Sequence, residues 1–208
     1  MKNLLMLNCS PQGARSSGYR LAVDMLESAR QSCPDAVVSV RDLVAEPLLP
    51  ISADYSDAIL QGQPDDAPAF AQSERLIAEL ERADLLLIVT PIHNFTLPAV
   101  LKLWIDNIVR AGRTFSHGPK GKVGLLEDRP VYILVSSGGV HSGPQARQPE
   151  FLTPYLRHLF GSIGLFDLHF VYLQGTVMGP EVVADAVAQA RRQLAFEPLF
   201  TSLAPQDA

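Results

Sequence analysis

The sequence is poor in cysteine and lacks the short motifs of the common nucleotide, metal and hydrolase sites. Its two cysteines, Cys9 and Cys33, are too few for the disulfide framework of a small secreted domain. Neither G-x-G-x-x-G nor a Walker A motif occurs, which argues against the usual dinucleotide and P-loop sites. The five histidines show no H-E-x-x-H spacing or Cys/His cluster, so we predict no metal site. A G-x-S-x-G elbow is absent as well, which leaves a Ser–His–Asp hydrolase without support.

Long apolar runs and an excess of positive charge are also missing. No run approaches the roughly 20 residues that a membrane-spanning helix needs, and residues 1–7 are too short for a signal peptide. The net charge of −5 disfavours binding to a nucleic-acid backbone. We therefore expect a cytoplasmic protein with no membrane or nucleic-acid partner, in which residues 1–208 form a single domain.

Five short apolar runs alternate with segments of helical periodicity. Nearly continuous apolarity is typical of strands buried on both faces of a parallel sheet. This alternation predicts an α/β fold, a flavodoxin-like doubly wound five-stranded parallel sheet with strand order 2-1-3-4-5 and helices on both faces. Residues 43–69 interrupt the pattern and predict a lid or interface loop with one short helix, and residues 113–129 predict an exposed loop or hairpin. The five runs are residues 4–7, 37–40, 85–89, 131–135 and 169–173.

The turn after the third run is restrained by two prolines. Pro91 and Pro98 fix its entry and exit and leave His93, Asn94 and Phe95 between them. Ligands of open parallel sheets bind beyond the carboxyl ends of the strands. The turn is therefore predicted to support a flat or charged ligand.

The loop after the first run is rich in serine and leads into a helix. Backbone N–H groups, serine hydroxyls and the positive end of the helix dipole all favour an anion at this position. Capping of the helix by Ser16 or Ser17 is the alternative. Because the loop directly follows the first strand of the predicted sheet, we favour anion binding.

The same loop also matches a cysteine phosphatase signature, Cys9-x5-Arg15. In that alternative, loop amides and the arginine would hold phosphate while the thiolate attacks phosphorus. Pro11 removes one of the amide donors, and the chain has no Asp-Pro pair to supply the general acid. Packing of a buried cysteine after a strand is the commoner situation. The phosphatase is therefore the less favoured hypothesis.

A glycine pair follows the fourth run, in the segment Ser136-Ser137-Gly138-Gly139. Paired glycines at the end of a strand allow the backbone to approach a ligand closely, although an ordinary tight turn has the same composition. The loops after strands one, three and four would lie at one edge of the sheet. The presence of all three loops at the same edge favours a binding site at that edge.

Several motifs, in order along nearly the whole chain, resemble those of the FMN-dependent NADH-azoreductases, also called NADH:quinone oxidoreductases. The motifs are Pro91-Ile92-His93-Asn94-Phe95, Trp104-Ile105-Asp106 and Arg110-Ala111-Gly112-x-Thr114-Phe115. The resemblance implies a flavodoxin-like homodimer with one FMN per subunit and an active site completed by the partner. It further implies ping-pong transfer of two electrons from NADH or NADPH to quinones and aromatic azo compounds. An electron-carrier flavodoxin is disfavoured by the mild charge of −5.

The resemblance also assigns site residues by position. The ribityl phosphate would be bound by Ser10, Ser16, Ser17 and Gly18, the isoalloxazine ring by Ile92, His93, Asn94 and Phe95, and its far edge by Ser136, Ser137, Gly138 and Gly139. His93, Phe95 and Phe115 would line the substrate pocket, and no side chain would act as a nucleophile because FMN carries the chemistry. The chain departs from the family pattern at His93, often Tyr, at Gly18, often Ser, and at Ser137, where a larger basic residue is common.

Overall fold

Five parallel strands form the centre of the computed structural model, which describes residues 1–204. Their order across the sheet is β2-β1-β3-β6-β7, which is the predicted 2-1-3-4-5 order once a separate hairpin, β4-β5, is set aside. The doubly wound fold is therefore confirmed. The strands are β1 (Asn3–Asn8), β2 (Val37–Asp42), β3 (Leu85–Pro91), β4 (Phe115–Gly118), β5 (Gly121–Gly124), β6 (Val131–Ser136) and β7 (Leu168–Leu173).

Helices cover both faces of the sheet. Each strand of the main sheet except β7 is joined to the next by at least one helix, as parallel connections require. The helices are α1 (Ser17–Ser32), α2 (Ala53–Leu60), α3 (Ala71–Arg82), α4 (Ala99–Ile108), α5 (Leu152–Ile163) and α6 (Pro180–Leu194). Single 3₁₀ turns cover Gly13–Arg15, Pro68–Phe70 and Thr201–Leu203. Among residues 1–204, no helix combines the length and apolarity needed to cross a bilayer.

The alternation of side chains along each strand divides the core into two layers. On β1, Leu5 and Leu7 face the layer formed with α3, α4 and α5, whereas Leu4 and Met6 face the layer formed with α1 and α6. All four side chains are at most 3% exposed. The central strands are buried on both faces, which explains their nearly continuous apolarity.

β2 does not share this double burial. It pairs only with β1 and lies at the edge of the sheet, where Val37 is 60% and Val40 is 52% exposed. The expectation that all five runs are buried on both faces is therefore wrong for β2. An edge strand has one neighbour, and its apolar side chains can remain in contact with solvent.

The segment predicted as an insertion, residues 43–69, contains α2 and is fastened to the core by a buried arginine. Ser52 caps α2 by accepting a hydrogen bond from the Tyr55 N–H at 3.1 Å. Arg110 follows α4, is 2% exposed, and donates to the Asp65 carboxylate at 2.9 Å. It also pairs with Glu74 of α3. Because Asp65 belongs to the insertion, this network holds the segment against α3 and α4.

Candidate functional site

Three loops meet at the carboxyl edge of the sheet, as the sequence predicts. The strand register aligns Asn8 of β1 with Val89 of β3, and Pro91 of β3 with Ser136 of β6. The chain therefore leaves β1, β3 and β6 at nearly the same height. The serine-rich loop, the proline-bracketed turn and the glycine pair lie together at this edge of the sheet.

A cavity of about 410 Å³ lies between these loops. Cavities of this size are typical of small-molecule sites. It brings together eight of the predicted site residues: Ser10, Ser16, Ser17, Ile92, His93, Ser136, Ser137 and Gly138. Its lining does not include Gly18, Asn94, Phe95, Gly139 or Phe115. The walls of the cavity are thus formed by the loops themselves.

Ser16 occupies the N-cap position of α1 but does not cap the helix with its side chain. Its backbone is extended, with φ −69° and ψ 133°, and within residues 1–204 its hydroxyl accepts no hydrogen bond from the first turn. The residue is 7% exposed and lines the cavity. The first N–H groups of a helix have no intrahelical partner and, with the dipole, attract an anion. The hydroxyl and these N–H groups are both available to a ligand.

The position of Ser10 is fixed by a neighbour that the sequence did not point to. Asn8, fully buried at the end of β1, accepts a hydrogen bond from the Ser10 N–H at 3.1 Å and donates one to Asp42 at 2.9 Å. Burial raises the pKa of Asp42. Hydrogen bonds from the Ala45 N–H, the Asn8 amide and the Val44 N–H together lower it by a larger amount, so the pKa lies below its usual value. An ionised Asp42 thus orients Asn8, which in turn orients the loop.

Cys9 is part of the core and not of the cavity. It is 1% exposed and packs in the apolar layer that contains Leu43 and Leu101. Burial, followed by the charge of Asp42, raises the pKa of its thiol far above the usual value. Nucleophilic cysteines need the opposite, an accessible thiol with a lowered pKa. The cysteine phosphatase alternative is therefore not supported, although the exposed Arg15 does line the cavity.

The turn between the two prolines is a tight hairpin with an unusual backbone. The His93 N–H donates to the Thr96 carbonyl at 2.8 Å, and the Thr96 N–H donates back to His93 at 3.1 Å. The two residues between them have positive φ, 47° at Asn94 and 73° at Phe95, as in a type I′ turn. Asn tolerates this region, whereas for Phe it is a genuine outlier. Backbone strain of this kind is concentrated at functional sites.

Neighbouring segments fasten the turn on both sides. The Ile92 N–H donates to the Ser136 carbonyl at 2.8 Å, which continues the β3–β6 pairing past the strand end. The Phe151 N–H, at the N-cap of α5, donates to the Phe95 carbonyl at 2.7 Å. Phe95 itself is 44% exposed. The turn therefore presents Ile92 and His93 to the cavity and carries Asn94 and Phe95 at its tip.

The glycine pair is held by a hydroxyl and by the loop after β7. Ser137 is 4% exposed, and its hydroxyl donates to the Gly139 carbonyl at 2.8 Å. A Cβ atom added at Gly138 would lie 3.3 Å from the Val177 side chain, which is tighter than most real contacts. The two loops thus approach closely at Gly138, and a larger residue there would press against the Val177 side chain. Ser137 shapes the loop with its side chain, while its backbone borders the cavity.

Comparison with known proteins shows which family the chain belongs to. Residues 2–196 match a family described as having the flavodoxin-like fold. A Pseudomonas fluorescens protein named FMN-dependent NADH:quinone oxidoreductase 4 is 57% identical over 203 residues, 98% of each chain. A Burkholderia lata protein named FMN-dependent NADH:quinone oxidoreductase 5 is 50% identical over 208 residues, the whole of both chains. The chain belongs to the FMN-dependent NADH:quinone oxidoreductase family. A crystal structure of azoreductase from Bacillus anthracis str. Sterne is similar with a TM-score of 0.81 and 26% identity, covering 94% of this chain and 98% of that one.

In this member of the oxidoreductase family, the loop after β7 supplies a fourth wall that the sequence reasoning missed. Thr176 and Val177 line the cavity, and the Thr176 N–H donates to the Ser137 carbonyl at 3.0 Å. A signal was present, because Gly175 and Gly179-Pro180 follow the fifth apolar run in the way that ligand loops follow the others. The sequence signal for Asn8 was weaker: it is a polar residue at the end of an apolar strand.

Two of the departures from the family pattern have a structural explanation. A Cβ atom at Gly18 would lie 2.9 Å from the Ser136 hydroxyl, so the glycine allows α1 to approach β6 closely. The short Ser137 side chain donates a hydrogen bond to the Gly139 carbonyl within its own loop. His93 lines the cavity, and the hydrogen bonds that hold it in the turn come from its backbone.

Phe115 lies apart from this cavity. It is 6% exposed at the start of β4, 5.4 Å from the His117 ring in an edge-to-face contact, with the Lys122 ammonium 4.1 Å from its ring centre. These contacts fix it within the β4–β5 hairpin, which confirms the hairpin predicted for residues 113–129. Within a single chain, Phe115 therefore does not line the cavity together with the other predicted site residues.

Proposed function

We propose that this chain is an FMN-dependent NADH:quinone oxidoreductase that also cleaves aromatic azo compounds reductively. One observation carries the proposal. A single cavity joins the N-terminus of α1, where the Ser16 hydroxyl is free of capping, to the strained turn of residues 93–96. The first feature suits a phosphate and the second suits a flat ring. The names of the two close relatives specify FMN, NADH and quinones.

The donor set fits the phosphate of FMN. Ser10, Ser16 and Ser17 would offer hydroxyl groups and Gly18 a backbone N–H, all at the positive end of the α1 dipole. Arg15 borders the same cavity and adds a positive charge. Because no carboxylate lines this cavity within residues 1–204, the field there favours an anion.

The opposite wall fits a planar ring. Ile92, His93, Asn94 and Phe95 would support the isoalloxazine, and backbone groups of Ser136, Ser137, Gly138 and Gly139 would border its far edge. Loops fastened by backbone hydrogen bonds give such a ring one orientation, since their shape does not depend on flexible side chains.

FMN, when bound, supplies the carrier that takes two electrons from NADH and passes them to a quinone or azo compound in turn. The residues of this chain bind and orient the cofactor, and no side chain acts as a nucleophile. His93 at the cavity wall and Phe95 at the turn tip would contact the electron donor or acceptor. A substrate-lining role for Phe115 stays a prediction.

We further propose that residues 1–208 form one FMN-binding domain and that two copies associate beside the site. Phe95 and Phe151, joined by their backbone hydrogen bond, expose 44% and 57% of their surface at the tip of the residue 93–96 turn. Exposed aromatic residues close together commonly mark an interface. On a second copy they would be covered, and the partner would close the site.

The test begins with the purified protein, incubated with FMN and passed through a desalting column. We expect the protein fraction to retain the yellow flavin absorbance and to oxidise NADH only when a quinone is present. Initial rates at several quinone concentrations should give the parallel reciprocal plots of a ping-pong reaction. Failure to retain or take up FMN would overturn the proposal.

Association is tested separately by light scattering during gel filtration. Phe151→Glu should shift the protein toward the monomer mass, whereas Phe196→Glu, at a side chain that is 90% exposed elsewhere, should leave the mass unchanged. A monomeric wild-type protein would contradict the second proposal and leave the first intact.

A further inference from the structure

The serine-rich end of the cavity depends on a series of hydrogen bonds that starts outside the cavity, at Asp42. Asp42 is the last residue of β2 and is not among the residues that line the cavity. It lies opposite Asn8, the last residue of β1, in the strand register. Asn8 is 0% exposed, donates to the Asp42 carboxylate at 2.9 Å and accepts from the Ser10 N–H at 3.1 Å. One buried amide therefore connects the end of β2 to the loop after β1.

The groups on either side of Asn8 allow only one orientation of its amide. The Ser10 N–H needs an acceptor, whereas an ionised carboxylate accepts hydrogen bonds and donates none. The amide oxygen of Asn8 must therefore face Ser10, and the amide nitrogen must face Asp42. The second carboxylate oxygen of Asp42 accepts from the N–H groups of Val44 and Ala45, both at 2.9 Å, which holds the carboxylate in place.

The backbone of Ser10 begins two turns that lead to Ser16. The Ser10 carbonyl accepts from the Gly13 N–H at 3.1 Å, and the Gly13 carbonyl accepts from the Ser16 N–H at 2.9 Å. Ser10 and Ser16 are each 7% exposed, and both line the cavity. The places of the two serine side chains therefore depend on how the Ser10 backbone is held.

We propose that Asp42 is a positioning residue for the cofactor phosphate. Acting through the Asn8 amide, it holds residues 10–16 in the form that binds phosphate, and it thereby sets the preference of the protein for FMN over riboflavin. The inference rests on the proposed function, which assigns this loop to the phosphate of FMN. A carboxylate close to an anion weakens its binding by Coulomb repulsion. Removal of the Asp42 charge is nevertheless expected to weaken FMN binding, because the geometry of the loop is lost.

Asp42→Asn changes one oxygen to nitrogen and interrupts the series at a defined atom. The amide oxygen at position 42 must face the N–H groups of Val44 and Ala45, so its NH₂ group faces the NH₂ group of Asn8. If the Asn8 amide turns over to accept from position 42, its own NH₂ group then faces the Ser10 N–H. A buried donor loses its acceptor in either arrangement, which is costly. The substitution should therefore release the Ser10 backbone.

The experiment measures binding of FMN and of riboflavin, which lacks the phosphate, to flavin-free protein by fluorescence quenching. We expect Asp42→Asn to weaken FMN binding by about tenfold and to leave riboflavin binding unchanged. The matched control is Asp84→Asn. Asp84 accepts from the Asn3 N–H at 2.9 Å, at the opposite end of β1 from the cavity. This control removes the same charge and should change the affinity for neither flavin.

The double variant Asn8→Asp/Asp42→Asn tests the role of the amide. The carboxylate at position 8 accepts both from the Ser10 N–H and from the amide at position 42, so the donors that face these side chains regain acceptors. The net charge equals that of wild type. We expect the affinity for FMN to return to within about threefold of wild type, a coupling that two independent substitutions would not show.

Each other outcome has a distinct meaning. Unchanged or stronger FMN binding by Asp42→Asn would show that Asp42 has no effect or acts through its charge alone, and would overturn this inference. Equal weakening of both flavins would show a general disturbance of the site, and a double variant no better than Asp42→Asn would show that the Asn8 amide is not the link. Either result would also overturn the inference and leave the proposed function standing. Failure of wild type to bind FMN would overturn the proposed function together with the inference.

Discussion

The Phe151 N–H donates a hydrogen bond to the carbonyl oxygen of Phe95 at 2.7 Å, which joins the start of α5 to the tip of the strained turn. An N-terminal helix group that would otherwise lack a partner is thereby satisfied. The same bond holds Phe95 at a φ of 73°. The strain in the turn is thus maintained by the surrounding backbone.

Substitution of Phe95 should reveal this strain. A β-branched residue is least compatible with positive φ and glycine is most compatible, so Phe95→Val should be less stable than Phe95→Gly by about 1 kcal/mol or more. Urea denaturation of the two variants gives the difference in the free energy of unfolding. Phe196 is 90% exposed and has negative φ, so the order should reverse for Phe196→Val and Phe196→Gly. The same order at both positions would contradict the role assigned to the backbone.

Removing the buried arginine charge should destabilise the protein strongly. Arg110→Met removes hydrogen bonds from a buried guanidinium to the carboxylates of Asp65 and Glu74, whose side chains are 60% and 28% exposed, and loss of hydrogen bonds to charged groups costs about 1.5 kcal/mol or more. The matched control is Lys102→Met, which breaks the exposed pair with Asp106 and should cost about 0.5 kcal/mol or less. Both free energies of unfolding come from urea titration. Equal losses would show that the Arg110 network contributes no more than a surface pair.

Glu74 makes part of the stability dependent on pH. Burial raises its pKa. The hydrogen bonds and charges of Arg113 and Arg110 together lower it by a larger amount, so in the folded protein the pKa lies below the usual 4.5. A carboxylate whose pKa is lowered by folding stabilises the fold at pH values above its pKa in the unfolded chain. This stabilisation is lost as the pH falls through its pKa in the folded protein. Glu74→Gln should therefore be less stable than wild type at pH 7, and the difference should shrink at about pH 3. Urea titrations at the two pH values measure this difference, and Glu27→Gln, which removes the same charge at an exposed position of α1, is the control.

The two cysteines should differ in reactivity. Cys33 is half-buried, whereas Cys9 is 1% exposed and the pKa of its thiol is raised, so only Cys33 should react rapidly with an aromatic disulfide reagent. In urea both thiols should react. Cys9→Ala should keep the NADH:quinone activity of wild type when FMN is supplied. Rapid modification of a second thiol in the native protein would contradict the burial of Cys9.

The sequence predicts the sheet well because its signals are local. Apolar runs of strand length and helices of clear periodicity are readable from neighbouring residues, and right-handed parallel connections leave few topologies. The predicted strand order placed β2 at an edge, but the exposure of Val37 and Val40 was not readable, since an apolar run has the same composition whether or not its side chains are covered. β2 contains no buried residue, and this exposure is a property of the assembled sheet.

The candidate site was predictable at the level of loops and less so at the level of atoms. The three loops were placed correctly because each follows a strand. The positive φ of Phe95 had no signal, since phenylalanine rarely adopts it and the cause, a hydrogen bond from Phe151, lies 56 residues away in sequence (151 minus 95). The fixed place of Cys9 in the core likewise depends on packing partners from other elements.

The hydrogen bonds that hold the residue 93–96 turn all run between backbone atoms. Its shape is therefore separable from the identity of the side chain at position 93. A different side chain at position 93, such as the histidine here, changes the surface that a substrate contacts, while the backbone of the turn keeps its shape. Acceptor preference can in this way diverge among relatives without a corresponding loss of fold stability.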